Sequence, residues 1–312
     1  MPEPLAEIVV PASTSNLGPG FDTLSVAVDL FLRVEVLGVL PTQPAVLETA
    51  FNGAPPPGEN RIESAFRCAR EALGDVPVGL RVRVSTDIPM AAGLGSSAAA
   101  TVAGLRLYEV ASGVSLEDAD LLMLACQLEG HPDNAAAALL GGITVSCQCD
   151  GGRIVARSWE WPAEVRFVVA IPAVALHTTE ARAVLPDQVS LAAAVANLQR
   201  ALLLVRALET RQFEDIREAL KDRWHQPARA PLVPGLPEAL ALDHPSILGA
   251  FLSGAGPSVV ALAAPGRSQE AAATLGAMYQ ALGVPHTIRN LAAHGSAMAR
   301  LPVSVTQREK TA

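Results

Sequence analysis

At 312 residues, half of them apolar and 4% aromatic, the chain is long enough for two hydrophobic cores filled mainly by Ala, Leu and Val. A formal charge of −8 with no cluster of Lys and Arg excludes nucleic acid as the main partner, because phosphate backbones are held by grouped cations. Four unevenly spaced cysteines frame no disulfide scaffold, no signal-peptide pattern opens the chain, and no run approaches the ~18 uninterrupted apolar residues of a membrane span, so a cytoplasmic protein is expected.

Residues 8–12 read as a strand, and Ser13-Thr14-Ser15-Asn16-Leu17-Gly18-Pro19-Gly20-Phe21-Asp22 as a long polar turn. Residues 24–39 are rich in β-formers, and a Pro-rich excursion follows over 41–57. Asn60 opens a helix through 72, in which Ile62, Ala65, Phe66 and Ala69 share one face. A strand at 80–84 leads into a glycine-rich loop, and a helix over 97–110 leaves it. Ser115 caps a helix to about 128, an Ala-rich helix covers 134–140, and 143–149 is a strand before the tight turn Asp150-Gly151-Gly152. Alternation puts Cys147 and Cys149 on one sheet face, where structural burial is expected rather than metal binding.

Residues 165–172 read as a buried strand, and the domain boundary is set near 160, giving domains 1–160 and 161–312. Helices are expected over 190–208, 213–220 and 268–282, strands over 247–253 and 258–263, and a frayed polar end over 302–312. This order describes an α+β protein of two layered halves.

Four segments carry the chemistry. In the first, Gly93-Leu94-Gly95-Ser96-Ser97, a strand feeds a turn that opens onto Ala98-Ala99-Ala100. The free N–H groups and dipole of a helix start favour an anion, glycines let the backbone approach phosphate oxygens, and serines add hydroxyls. No Lys follows in the Walker arrangement, and the spacing is not that of a dinucleotide site. The second is the polar turn at 11–22, the third Glu129-Gly130-His131-Pro132-Asp133-Asn134, and the fourth Leu252-Ser253-Gly254-Ala255-Gly256-Pro257-Ser258. Alone, each also reads as a turn or an elaborate helix cap.

Together and in this order, the four resemble the GHMP family of small-molecule kinases over essentially the whole chain. The loop from Pro89 through Ala91, Ala92, Gly93, Leu94, Gly95, Ser96, Ser97 and Ala98 to Ala99 looks like the family's ATP-phosphate signature. The run 11–22, the run 129–134 and Leu176-His177-Thr178-Thr179-Glu180-Ala181-Arg182 resemble the branch that acts on L-homoserine. The resemblance implies a two-domain GHMP kinase fold, with an N-terminal domain like ribosomal protein S5 domain 2 and a ferredoxin-like C-terminal domain. It also implies ATP with Mg²⁺, transfer of the γ-phosphoryl group to the homoserine hydroxyl, and a homodimer.

Carried onto this sequence, Asn16, Asp22, His131, Asp133, Asn134, Thr178 and Arg182 are implied at the homoserine site. Asn134 and Arg229 are implied at the reacting phosphoryl group, Asn60 near the adenine and Ser97 at the metal, where Glu129 or another group supplies a further ligand or water completes the shell. The charges agree with an amino-acid substrate: Asp22 and Asp133 offer carboxylates for an ammonium, and Arg182 a cation for a carboxylate. Phosphoryl transfer needs mainly alignment and charge neutralisation, so Asp133 is read as a substrate ligand first and a base second. One departure stands out: eight residues before the histidine, where several relatives carry a magnesium-binding carboxylate, this chain has Met123. A related kinase with another small alcohol, or a ligand-binding regulator of the same fold, are the competing readings.

Overall fold

Alternating apolar residues near the start of the chain build a long antiparallel pair. In the computed structural model, which describes residues 3–295, β1 (Ala6–Ser15) runs against β2 (Leu24–Leu40), one strand of 17 residues. The Pro-rich stretch is not all loop. It contains β3 (Leu47–Phe51), which is joined through α1 (Arg61–Leu73) to β4 (Gly79–Thr86), its parallel neighbour. A five-residue edge strand flanked by prolines carries too little pattern to be read in advance.

Next come α2 (Ser96–Ser112), α3 (Asp118–Glu129), α4 (Asp133–Leu140) and the hairpin of β5 (Ile143–Gln148) and β6 (Ile154–Trp159). The sheet has the order β3-β4-β2-β5-β6, with β1 also on β2. Apolar on nearly every side, α2 is the central helix, and even Arg106 and Glu109 are buried on it as a 2.8 Å pair. A Cβ on Gly104 would lie 2.2 Å from the Ile62 carbonyl oxygen, so α1 and α2 touch backbone to backbone.

The cysteine expectation fails for a simple reason. β5 pairs with β2 only over Ile143, Thr144 and Val145; beyond that the hairpin is a two-stranded ribbon, which leaves Cys147 exposed and Cys149 half-buried.

The chain then forms β7 (Arg166–Pro172), α5 (Thr178–Ala183), α6 (Leu191–Thr210), α7 (Ile216–Ala219), α8 (His225–Arg229), α9 (Leu236–Leu240), β8 (Ile247–Leu252), β9 (Val259–Ala263), α10 (Ser268–Ala281) and β10 (His286–Leu291). The expected helix over 213–220 is a single 3-10 turn followed by the four residues of α7. Four antiparallel strands in the order β10-β7-β9-β8 make the second sheet. Alternation along β7 sends Phe167 and Val169 into the core shared with the first half, and Val168 and Ala170 toward α9 and α10, where Leu236, Leu275 and Tyr279 cover the far face. The polar end at 302–312 lies outside the described residues.

Among the described residues, α6 is the one helix long and apolar enough to cross a membrane by length and composition. It buries Asn197, Leu204, Ala207 and Leu208 against the protein. Its outer face carries Leu191, Leu198 and Leu202 at 80%, 62% and 64% exposure, with Val195 between them.

Candidate active site

The loop between β4 and α2 is shaped by backbone that only small residues tolerate well. Gly93 and Gly95 have φ of 73° and 70°, and Ala91 lies at 51°. A Cβ on Gly95 would sit 2.1 Å from Ser13 Oγ, and one on Gly93 would sit 2.3 Å from the Ser253 carbonyl oxygen. These glycines therefore let the loop press against β1 and the β8–β9 turn. Three bonds pin it there: Ser13 N to Leu94 O at 3.2 Å, Ser258 N to Ala92 O at 3.3 Å, and Ser253 Oγ to Gly93 O at 2.7 Å. Gly95 caps α2 with no side-chain bond, and Ser96, Ser97 and Ala98, whose N–H groups open the helix, line the cleft, an arrangement that can hold an anion.

Ser97 and Thr101 both donate to Glu129 Oε1, at 2.9 and 2.7 Å, and Arg61 Nε lies 3.7 Å from the same oxygen. A carboxylate and a hydroxyl at the mouth of an anion site are hard oxygen donors suited to Mg²⁺. Met123 is exposed on α3 and does not line the cleft.

Across the cleft, His131 Nδ1 lies 2.6 Å from Asp133 Oδ1, which also accepts the Asn134 N–H at 2.7 Å. Burial alone would push the Asp133 carboxyl up, but the bond and charge of His131, with the Asn134 N–H and the Ser15 hydroxyl, hold it below the usual range. For His131 burial works downward and is outweighed by the bond and charge of Asp133, so its pKa is raised. Each partner thus favours the charged form of the other. Asp22, in left-handed backbone at φ 52°, accepts from Arg182 Nη2 at 2.8 Å. One ligand atom each from Asp22, His131 and Asp133 lies within 4.8 Å of the others.

Asn134 bridges these elements to β1: Oδ1 accepts from Ser13 Oγ at 2.9 Å, and Nδ2 donates to Ser15 Oγ at 3.0 Å. Asn16 is similarly engaged, with Nδ2 on the Gly254 carbonyl at 2.8 Å and Oδ1 accepting the Asp22 N–H at 3.0 Å. Arg229 is buried; Nε donates to Ala181 O at 3.0 Å and Nη1 to Gly254 O at 3.1 Å. Burial first, then the neighbouring Arg182 charge, lower its guanidinium pKa to about 10, so it remains a cation at neutral pH. Phe21 carries both arginines, with guanidinium carbons 5.5 Å (Arg182) and 5.3 Å (Arg229) from the ring centre.

One cleft of about 400 Å³ thus gathers Ala91 to Ala98, Asn16, Asp22, Glu129, His131, Asp133, Asn134, Thr178, Arg182 and Arg229. Pro89 and Ala99, also expected at the nucleotide site, do not line the cleft. Asn60 does not line the cleft: its Oδ1 accepts the Ile62 N–H and its Nδ2 donates to Glu63, which makes it the N-cap of α1. Sequence reasoning missed Ser15 and Arg61, and read Gly254, Ala255 and Gly256 only as a motif, although all five line the cleft. Ser15 stood in a quoted motif, whereas nothing near Arg61 distinguishes it from a surface arginine.

The GHMP kinases N terminal domain matches residues 60–142, and the GHMP kinases C terminal domain matches residues 204–281. A homoserine kinase of Moorella thermoacetica is 40% identical over 290 residues, covering 91% of this chain and 95% of its own. Another, of Thermus thermophilus, is 43% identical over 268 residues, covering 84% and 88%. The crystal structure of homoserine kinase from Cytophaga hutchinsonii matches with a TM-score of 0.79 at 29% identity, covering 94% of this chain and 96% of that one. A mevalonate kinase of Methanococcus jannaschii, at TM-score 0.66 and 17% identity over 93% and 98% of the two chains, shares the fold.

Proposed function

Because the chain belongs to the GHMP kinase family, in its homoserine kinase branch, we propose that it transfers the γ-phosphoryl group of ATP to the side-chain hydroxyl of L-homoserine, a step toward threonine. The observation that carries this reading is that the α2 anion site and the Asp22–His131–Asp133–Arg182 cluster open into one cleft. An ADP-release assay over homoserine, threonine, serine, mevalonate and galactose tests it. Turnover on none of them, with ATP still bound, would overturn it.

ATP phosphates bind the N–H groups opening α2, with residues 1–160 supplying that loop and 161–312 closing the cleft through Gly254 and Arg229. Ser97 and Glu129 would hold Mg²⁺, which when bound neutralises charge on the transferring phosphoryl group. Homoserine brings an ammonium and a carboxylate. The Asp22–Arg182 pair is already arranged for both, Asp22 taking the ammonium and Arg182 the carboxylate, with Thr178 beside it.

With the substrate so held, its hydroxyl faces the second lone pair of Asn134 Oδ1, since Ser13 occupies only one. The hydroxyl oxygen attacks γ-phosphorus as the bond to the bridging oxygen of ADP breaks. A loose transition state develops little demand for a base, and the hydroxyl proton leaves late, toward solvent or product phosphate. Arg229 supplies a fixed cation near the transferring group, kept in place by two backbone carbonyls.

The enzyme is placed in the cytoplasm as a homodimer, with a second copy covering α6. From Leu191 to Gln199 this helix carries no charge, and the chain's net charge of −8 disfavours an anionic membrane surface as the alternative. An antiparallel pairing of the same face would set Arg206 of one copy toward the Asp187 end of the other.

A further inference from the structure

We infer that His225 is a positioning residue for phosphoryl transfer, holding the Arg229 guanidinium in register with the loop that receives the acceptor. This rests on reading Arg229 as the cation beside the transferring group. His225 is fully buried at the start of α8, and neither of its nitrogens reaches solvent. Nε2 lies 2.7 Å from the Gly18 carbonyl oxygen, which can only accept, so the ring proton sits on Nε2. Nδ1 then presents a lone pair, and Arg229 Nη1, which can only donate, stands 3.3 Å from it. Burial, the largest influence on this imidazole, keeps it neutral and the lone pair free.

The Gly18 end of this link is fixed. Gly18 has φ 72°, and a Cβ there would fall 2.1 Å from the Leu220 carbonyl oxygen, so the loop is wedged between Leu220 and the imidazole. The α8 end is fixed as well. Asp222 accepts the N–H groups of Trp224 at 2.9 Å and Gln226 at 2.6 Å, and Gln226 Oε1 in turn takes the Leu252 N–H at 2.8 Å.

At the arginine, Ala181 O, Gly254 O and His225 Nδ1 together engage Nε and Nη1. Among the described residues these are the hydrogen bonds of Arg229, and they leave Nη2 available to a ligand. Two of the three acceptors also touch the loop that carries Asp22: Gly254 O, which accepts from Asn16 Nδ2 at 2.8 Å, and His225, the one side chain among the three and so the link a substitution can remove. Phe21 completes the arrangement, its ring centre 5.1 Å from that of His225 and 5.3 Å from the Arg229 guanidinium carbon. Losing the His225 acceptor therefore removes one of the two links that hold the arginine in register with Asp22, leaving only the one through Gly254 O and Asn16, while the nucleotide loop, held by Ser13, Ser253 and Ser258, is untouched.

The test uses the full-length enzyme and four variants: His225→Gln, His225→Asn, Arg229→Ala and the His225→Gln/Arg229→Ala double. The Gln amide can still donate to Gly18 but offers no acceptor where Nδ1 stood; the Asn oxygen falls near the Nδ1 position. Thermal midpoints of all four establish that they fold. His225→Gln is expected to lower kcat about tenfold, the scale of one hydrogen bond to a charged group, with KM for ATP unchanged. His225→Asn should rescue most of that loss, and His225→Gln should cost nothing further once Arg229 is already Ala.

If Arg229→Ala leaves kcat at the wild-type value, the reading of Arg229 fails. If Arg229→Ala lowers kcat while His225→Gln does not, the positioning role of His225 is overturned. An equal His225→Gln loss in both backgrounds, or an Asn variant no better than Gln, also overturns it.

Discussion

Ser253 donates its hydroxyl hydrogen to the Gly93 carbonyl across 2.7 Å, joining two loops 160 positions apart in the chain. Having a single hydrogen, Ser253 must accept in its 2.8 Å contact with Thr14, so β1, the phosphate loop and the β8–β9 turn meet at one hydroxyl. The close approach of these three segments gives the cleft its floor.

Gly93→Ala tests that floor. The new Cβ would meet the Ser253 carbonyl oxygen at 2.3 Å in a left-handed conformation, and the loop must move. A displacement of this kind is expected to lower kcat/KM for ATP about 100-fold, read from initial rates with ATP varied. An unchanged value would show that the loop does not carry the nucleotide.

Ser97→Ala and Glu129→Gln address the metal. Ser97→Ala removes a hydroxyl oxygen and Glu129→Gln a negative charge from the mouth of the cleft, and Glu129→Gln should raise the Mg²⁺ concentration for half-maximal rate at least about tenfold. Ser97→Ala should lower kcat more than it weakens homoserine binding. If the Mg²⁺ titration of Glu129→Gln overlays that of the wild type, another group holds the ion.

Arg182→Ala removes the cation assigned to the substrate carboxylate and leaves Asp22 unpaired. KM for homoserine is expected to rise about tenfold or more, with kcat much less affected. Because the pair is one-third exposed, a purely structural bridge would matter little, and an unaltered KM would return Arg182 to that role.

The His131–Asp133 pair makes a signed prediction for stability against pH. The raised pKa of His131 adds stability that is complete below the unfolded value near 6.5 and is lost as pH rises through the folded value. The lowered pKa of Asp133 adds stability that is present above the model value of 3.8 and is lost as pH falls through the folded value. The unfolding free-energy difference between wild type and His131→Asn, from denaturant titrations, should therefore be largest in mildly acid buffer and shrink toward alkaline pH, with a maximum of about 2 kcal/mol. A difference constant from pH ~5 to ~9 would mean that the pair is not ionised.

Leu198→Glu puts a charge in the middle of the exposed α6 stripe. Sedimentation should show a dimer for the wild type and a monomer for the variant. A wild-type monomer at micromolar concentration would remove the second copy from α6.

Much of this was readable in the sequence because the signals are local. Gly93 and Gly95 beside two serines and an alanine run announce a helix opened by an anion site, and α2 follows at Ser96. Alternation in 33–36 and the helical spacing of Ile62, Ala65, Phe66 and Ala69 likewise appear as a strand and a helix with the expected inner faces. Asp22, His131 and Asp133 stood out as polar groups crowded into turns and Arg182 by its place in a family motif, and they share the cleft.

Other features could not be read that way. The character of Asn60 as a cap rather than a ligand, the exposure of Cys147 and the small edge strand β3 depend on which neighbours arrive from elsewhere. The sequence by itself determined most of the main strands and helices and marked the glycine loop as a candidate anion site, because periodicity, glycine conformation and formal charge act over a few residues, while the kinase reading came from the resemblance of four motifs to the GHMP family. Only the tertiary structure decided that Gly18, Phe21, His225 and Arg229 form one assembly, or that Ser253 closes on Gly93. Hydrogen bonds and steric contacts between segments some 160 to 207 residues apart depend on how two sheets pack, and no local pattern encodes that distance.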